Sequence, residues 1–111
     1  MAETETPHPL TALPPFDALP AEALARLLPE VDEVEAAAGT LIFEAGQPLQ
    51  GFYVIADGRV DVEEPGGDAV SHRGRGDMMG ERGLMRDGRA VLTARAVEDA
   101  RLYLLPPATF R

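Results

Sequence analysis

Residues 80–89 read Gly80-Glu81-Arg82-Gly83-Leu84-Met85-Arg86-Asp87-Gly88-Arg89, a run too rich in glycine for a long helix and too irregular for a strand. The pattern fits a loop holding one helical turn. A turn entered through glycine presents free backbone N–H groups and the positive end of a helix dipole, which together can receive a phosphate. A guanidinium fork such as that of Arg89 can neutralise a phosphodiester through two hydrogen bonds, and a carboxylate such as Glu81 can accept from a sugar hydroxyl. Amides, guanidinium and carboxylate in one loop suit a nucleotide better than a free phosphate. Each group also has a plainer use. Glu81 could simply cap the turn, Arg89 could be a solvated loop arginine with Arg82 or Arg86 in its place at the anion, and Thr93 could be an ordinary strand residue.

The loop lies where the charge balance of the chain reverses. All ten basic residues are arginine, against nineteen acids, for a net charge of −9. Residues 1–70 hold only Arg26 and Arg59 against fourteen acids, a balance of −12, whereas residues 71–111 hold eight arginines against five acids, a balance of +3. An anion therefore belongs with the second half, unless the clustering is only that of a solvated face. The acidic total argues against duplex DNA as a partner of this chain alone, because phosphate neutralisation needs a basic surface.

The elements that must hold the loop follow from pattern. A chain of 111 residues has room for one compact domain, and its hydrophobic share of 45% and charged share of 26% are those of ordinary globular proteins. Residues 1–15, with Pro7, Pro9, Pro14 and Pro15, read as a flexible leader; Phe16 is the expected first anchor. Ala21, Leu24, Leu27 and Leu28 recur at helical spacing, so a short amphipathic helix is predicted over 20–28, with Pro20 in its first turn and Pro29 limiting it. Beyond Val31 the pattern changes to short runs between glycines, predicting strands at 41–44, 52–56, 59–63, 69–73, 92–97 and 102–105. That rhythm predicts a mainly β antiparallel sandwich or small barrel, and no helix-length segment separates successive strands as parallel βαβ folds require. Asp57-Gly58 is the strongest hairpin signal, and Pro65-Gly66-Gly67-Asp68 reads as a second hairpin turn. Val60 and Val62 alternate with Arg59, Asp61 and Glu63, giving that strand one buried and one wet face. Phe52, Tyr53 and Val54 read as core, and Met78, Met79 and Met85 as adaptable filler under the loop.

Catalytic readings find little support. A cupin-type metal site needs clustered histidines and carboxylates, but the histidines are His8 in the leader and an isolated His72. Ser71 is the only serine, and its neighbour His72 would leave a strand on the opposite face. The expectation is a non-catalytic domain with no metal and no cofactor. No cysteine is present, the amino terminus is acidic where a signal peptide would be basic, and no apolar run approaches a spanning helix. A cytoplasmic protein without membrane attachment is expected.

Taken in order, these segments resemble the cyclic-nucleotide-binding domains of bacterial catabolite-activator-type regulators, cyclic-AMP-dependent kinases and cyclic-nucleotide-gated channels. The resemblance covers about residues 16–110, within a domain of 16–111. Phe16 and Leu19 stand ahead of the helix; Gly39-Thr40-Leu41-Ile42-Phe43-Glu44-Ala45-Gly46 looks like the family's glycine-to-glycine stretch around a buried strand. Phe52 to Val60 resembles its most recognisable hairpin. Gly80-Glu81-Arg82-Gly83-Leu84 falls where the family keeps its phosphate-binding cassette, and Thr93-Ala94-Arg95-Ala96 followed by Leu102-Tyr103-Leu104-Leu105 and Phe110 looks like its closing strands.

The resemblance implies an antiparallel β-roll or jelly-roll barrel with short flanking helices, binding cyclic AMP (cAMP) or cyclic GMP (cGMP) without chemistry. By position, Gly80, Glu81, Arg82, Gly83, Leu84, Arg89, Ala90 and Thr93 form the site, with Glu81 on the ribose 2′-hydroxyl and the backbone around Gly83 and Leu84 donating to the cyclic phosphate. The arginine is out of step. The family pattern has a Pro-Arg pair, two small residues and Thr or Ser, whereas Gly88-Arg89 here is followed by Ala90-Val91-Leu92 before Thr93. An ungapped match puts Ala90 in the arginine position; a loop could absorb the shift, but a strand would turn the side chain to the opposite face. Arg82 also departs, since an apolar residue usually follows the glutamate. Residues 94–106 look most like bacterial proteins in which this domain precedes paired CBS domains and a nucleotidyltransferase-like region, many of which also lack the Pro-Arg pair. Two functions are implied. One is a cyclic-nucleotide sensor acting on a downstream domain or dimer partner, and the alternative is a protein-interaction or scaffolding module that keeps the fold without nucleotide. The family continues past Phe110 into a helix that lids the pocket, so an amino-terminal piece of a longer regulator, or a stand-alone remnant, is expected.

Overall fold

The computed structural model describes residues 16–64, 66 and 70–106. The 1–15 leader, Phe110 and most of the Pro65–Asp68 turn lie outside the described residues. After a 3₁₀ turn at Phe16–Ala18, α1 spans Ala21–Leu27 and runs into a second 3₁₀ turn at Leu28–Glu30. Pro20 is the N-cap, one position ahead of the first turn, where its carbonyl accepts from the Leu24 amide. Pro29 sits inside the tighter turn, which replaces an α-helical continuation.

Eight strands are present among the described residues: β1 (Asp32–Ala36), β2 (Leu41–Phe43), β3 (Phe52–Asp57), β4 (Val60–Glu63), β5 (Val70–Arg73), β6 (Met78–Met79), β7 (Thr93–Ala96) and β8 (Ala100–Leu105). One turn of helix, α2 (Glu81–Leu84), lies between β6 and β7. The strands form two four-stranded antiparallel sheets, ordered β1-β8-β3-β6 and β2-β7-β4-β5. The mainly β, two-sheet roll with short flanking helices is the architecture expected.

Two differences from expectation have clear causes. β3 pairs with β6 and β8, while β4 pairs with β5 and β7, so Asp57-Gly58 is not the turn of a hairpin but a corner carrying the chain from one sheet to the other. A local turn signal cannot tell these apart, because both need a glycine at positive φ, here 95° at Gly58. β1 and β6 were not expected as strands. β1 is an acidic edge strand with only Ala36 buried, and charges of that kind blunt an edge at the expense of the apolar pattern. The hairpin across residues 64–69 is present, β4 pairing with β5 from Val60↔Arg73 to Glu63↔Val70.

The sheets enclose Phe43, Ile55, Val60, Val62, Met79 and Leu102 together with five alanines, Ala36, Ala90, Ala94, Ala96 and Ala100. Small inward residues let the two backbones approach closely. The outer face of the first sheet carries Phe52, Val54, Tyr103 and Leu105, which Phe16 and Leu27 of the amino-terminal segment cover. β3 is thus apolar on both faces, which is why it reads as an unbroken apolar run.

Candidate functional site

β6 ends at Met79, and the chain turns into α2 through Gly80 at φ 89°, a left-handed conformation that side chains resist. No side chain among the described residues caps the turn. The Leu84 amide donates to the Gly80 carbonyl at 3.2 Å and the Met85 amide to the Glu81 carbonyl at 3.1 Å. The loop then folds back on the turn, the amides of Arg86 and Gly88 donating to the Gly83 carbonyl at 3.1 and 2.9 Å. From Gly88 onward it is zipped to residues 45–49. The Leu49 amide donates to the Gly88 carbonyl, Pro48 bridges Arg89, Ala90 donates to Gln47, and Gly46 donates to Ala90.

A cavity of about 80 Å³ lies beside the start of α2. Phe43 of β2, Val62 of β4, and Val91 and Leu92 ahead of β7 give it apolar walls. Met78, Met79, Gly80, Glu81 and Arg82 form the side nearest the turn, and Arg73 of β5 completes the lining. Phe43 is buried at 2% exposure and stacks on Tyr53 with ring centroids 5.7 Å apart. Burial raises the Tyr53 phenol above its ordinary pKa. Among the described residues neither Glu81, Arg82 nor Arg73 belongs to an ion pair. No cluster of three metal-ligating side chains is found among the described residues.

The structure brings together Gly80, Glu81 and Arg82 of the expected set and leaves the others outside the cavity lining. Gly83 is buried, and a Cβ there would run into the Arg89 carbonyl, so glycine is what lets the loop close on the turn. Leu84 packs with the outer cluster beside Phe52. Arg89 does not face Glu81: its guanidinium donates to the Gly46 carbonyl at 3.0 Å because the bridge to Pro48 fixes its backbone beside that loop. Ala90 is 4% exposed in the inter-sheet core. The Thr93 hydroxyl accepts from the Ala45 amide at 3.0 Å and joins β7 to the loop after β2. Met85, expected as filler, is 73% exposed.

Arg73 was not anticipated. The alternation of Val60 and Val62 assigns it a face only once the register of β4 against β5 is known. The apolar walls at Phe43, Val62, Val91 and Leu92 carried no chemical pattern to single them out.

Comparison with known proteins adds the family. The fold matches the sensor domain of the transcriptional regulator DNR from Pseudomonas aeruginosa, with a TM-score of 0.81 at 23% identity over 92% of this chain and 75% of that one. It also matches a cAMP-binding acyltransferase from Mycobacterium smegmatis, an R95K mutant, with a TM-score of 0.76 at 28% identity over 91% of this chain and 33% of that one. An NTE family protein of Mycobacterium tuberculosis is 27% identical over 89 residues, 80% of this chain. The chain spans about 15% of the length of that relative. The family model for the cyclic nucleotide-binding domain matches residues 33–111, well over half of the sequence and inclusive of every strand from β2 onward, and the chain belongs to that family.

Proposed function

We propose that this domain is a regulatory sensor that binds cAMP or cGMP in the cavity beside α2 and does no chemistry on it. The observation that carries this reading is the pairing of a carboxylate, Glu81, with arginine side chains around one apolar-walled cavity, none of them in an ion pair among the described residues. Glu81 takes the ribose 2′-hydroxyl, and the amides entering α2 take phosphate oxygens. Pockets that enclose a whole small ligand measure roughly 300–1,000 Å³. At about 80 Å³ the cavity suits the ribose-phosphate end, with the base at its mouth. The likeness to a cAMP-binding acyltransferase supports this class of ligand.

Binding acts as an equilibrium shift, bounded by the ligand's differential affinity for two conformations, passed to a following domain or a dimer partner. The proposed setting is cytoplasmic, which a cysteine-free sequence suits; no helix among the described residues is long and apolar enough to cross a membrane. The scaffolding alternative draws on one observation, the burial of Ala90 where the family pattern has arginine.

Calorimetric titration of cAMP, cGMP and cyclic di-GMP tests the reading. The expected result is saturable heat with cAMP or cGMP, reduced roughly tenfold or more in affinity by Glu81→Ala and matched by the loss on removing the ligand's 2′-hydroxyl. Absence of both heat and thermal stabilisation with all three ligands leaves the scaffold.

A further inference from the structure

In the β4–β5 hairpin Val60 stands opposite Arg73, Asp61 opposite His72, and Val62 opposite Ser71. Residues opposed in an antiparallel pair share a face of the sheet. Val60 and Val62 are buried, at 0% and 4% exposure, so Arg73 leaves β5 on the inner, apolar face. His72 leaves on the outer face, where its Nδ1 lies 2.6 Å from Asp61 Oδ1. Arg73 is half-buried and lines the cavity with Glu81, and among the described residues its guanidinium makes one hydrogen bond, from Nη1 to the neighbouring His72 carbonyl at 3.2 Å. No carboxylate among the described residues pairs with it. A guanidinium drawn partly out of water on an apolar face without a counter-ion is costly, and an anion in the cavity would offset that cost.

Two of the positions from which the cassette could supply this charge are occupied otherwise, and a third, Arg86, is exposed and outside the cavity lining. Ala90 packs into the core, and Arg89 is tied to Gly46. Arg82 reaches the cavity from the exposed side of a single helical turn, whereas Arg73 is half-buried, so part of its side-chain freedom is already lost before binding. We infer that Arg73 neutralises the cyclic phosphate, so that the charge has moved from the cassette to the opposing sheet and the ligand bridges β5 and α2. The inference rests on the cyclic-nucleotide reading and adds the residue that fixes its phosphate.

The test is calorimetry of the full chain with cAMP and cGMP, using Arg73→Gln, Arg73→Lys, Arg82→Gln and Arg89→Gln, with adenosine and guanosine as ligands lacking phosphate. Arg73→Gln is expected to weaken cyclic-nucleotide binding roughly 10- to 100-fold, Arg73→Lys less, and Arg89→Gln by no more than about twofold. Binding of the phosphate-free nucleosides should not change in Arg73→Gln, which a merely structural role would not spare. Arg73→Lys keeps a cation and the strand, so it reports even if the glutamine variant folds poorly. Wild-type binding that persists unchanged in Arg73→Gln, or that is lost instead in Arg82→Gln, overturns the assignment while the sensor reading stands. Failure of the wild-type chain to bind either cyclic nucleotide removes the sensor reading and the assignment with it.

Discussion

The guanidinium of Arg89 donates to the backbone carbonyl of Gly46 at 3.0 Å, while the backbone carrying it is held by the bridge to Pro48 and by the Asp87 carboxylate, which accepts from the Arg89 amide at 3.1 Å. The arginine nearest the family's position therefore braces the cassette against the loop after β2. Replacing it with alanine removes one exposed charged hydrogen bond, which costs at most about 1 kcal/mol. Thermal unfolding should show a small fall in midpoint, and cyclic-nucleotide affinity should stay within about twofold of wild type. A large loss of affinity with intact stability would place Arg89 at the ligand after all.

Gly83 predicts the opposite balance. Its carbonyl accepts the amides of Arg86 and Gly88, and a side chain would meet the Arg89 carbonyl, a backbone group that cannot swing away. Gly83→Val must therefore push residues 88–90 off α2 and loosen the zipper to residues 45–49. A cost of about 1–3 kcal/mol is expected from the enforced shift, together with weaker nucleotide binding. Denaturant unfolding and titration on the same sample check both. If stability falls and affinity does not, the turn is not part of the binding surface.

What could be read from the sequence depended on which interactions are local. Glycine spacing and short apolar runs report turns and two-faced strands, which is why β2, β3, β4, β7 and β8 lie close to their expected positions. The sheet to which a strand belongs is set by partners far along the chain, so Asp57-Gly58 looked like a hairpin and proved a corner. The acidic β1 hid behind Asp32, Glu33 and Glu35, whose charges face solvent at an edge. Gly80, Glu81 and Arg82 could be placed because one turn of helix is a local object. Arg73 could not, because its face depends on the register of β4 against β5, and the residues between those strands gave only a turn signal.

Alkaline pH should weaken the fold through its two tyrosines. Burial raises the pKa of Tyr53 above the ordinary 10.0. Tyr103 is raised first by burial and then by the charge of Glu33, its partner across β1 and β8, with Arg101 acting in the opposite direction. Both phenols hold their protons more tightly folded than unfolded, so their contribution is complete below the unfolded value near 10 and is lost as pH rises through the folded values. Unfolding free energy should decline from about pH 10 upward, and Tyr53→Phe should make that decline shallower. Tyrosinate absorbance in Glu33→Gln should show Tyr103 ionising at lower pH than in wild type, since the raising charge is gone and Arg101 remains.

Restoring the family's arginine by Ala90→Arg looks like a repair and should act as damage. Ala90 is 4% exposed in the core with Phe43, Val62, Met79 and Ala94, its amide donating to the Gln47 carbonyl at 2.9 Å and its carbonyl accepting from Gly46 at 2.8 Å. Those two bonds fix the backbone, so a long side chain has to be accommodated by the alanine-lined space between the sheets. Overpacking alone costs about 1–3 kcal/mol, and an unpaired charge adds to it, so a loss on the order of 3 kcal/mol or more is expected. Thermal unfolding of the ligand-free variant measures the loss. A variant that keeps wild-type stability and binds cyclic nucleotide more tightly would mean that position 90 opens onto the cavity. The phosphate charge would then belong to the cassette, and Arg73 would be redundant.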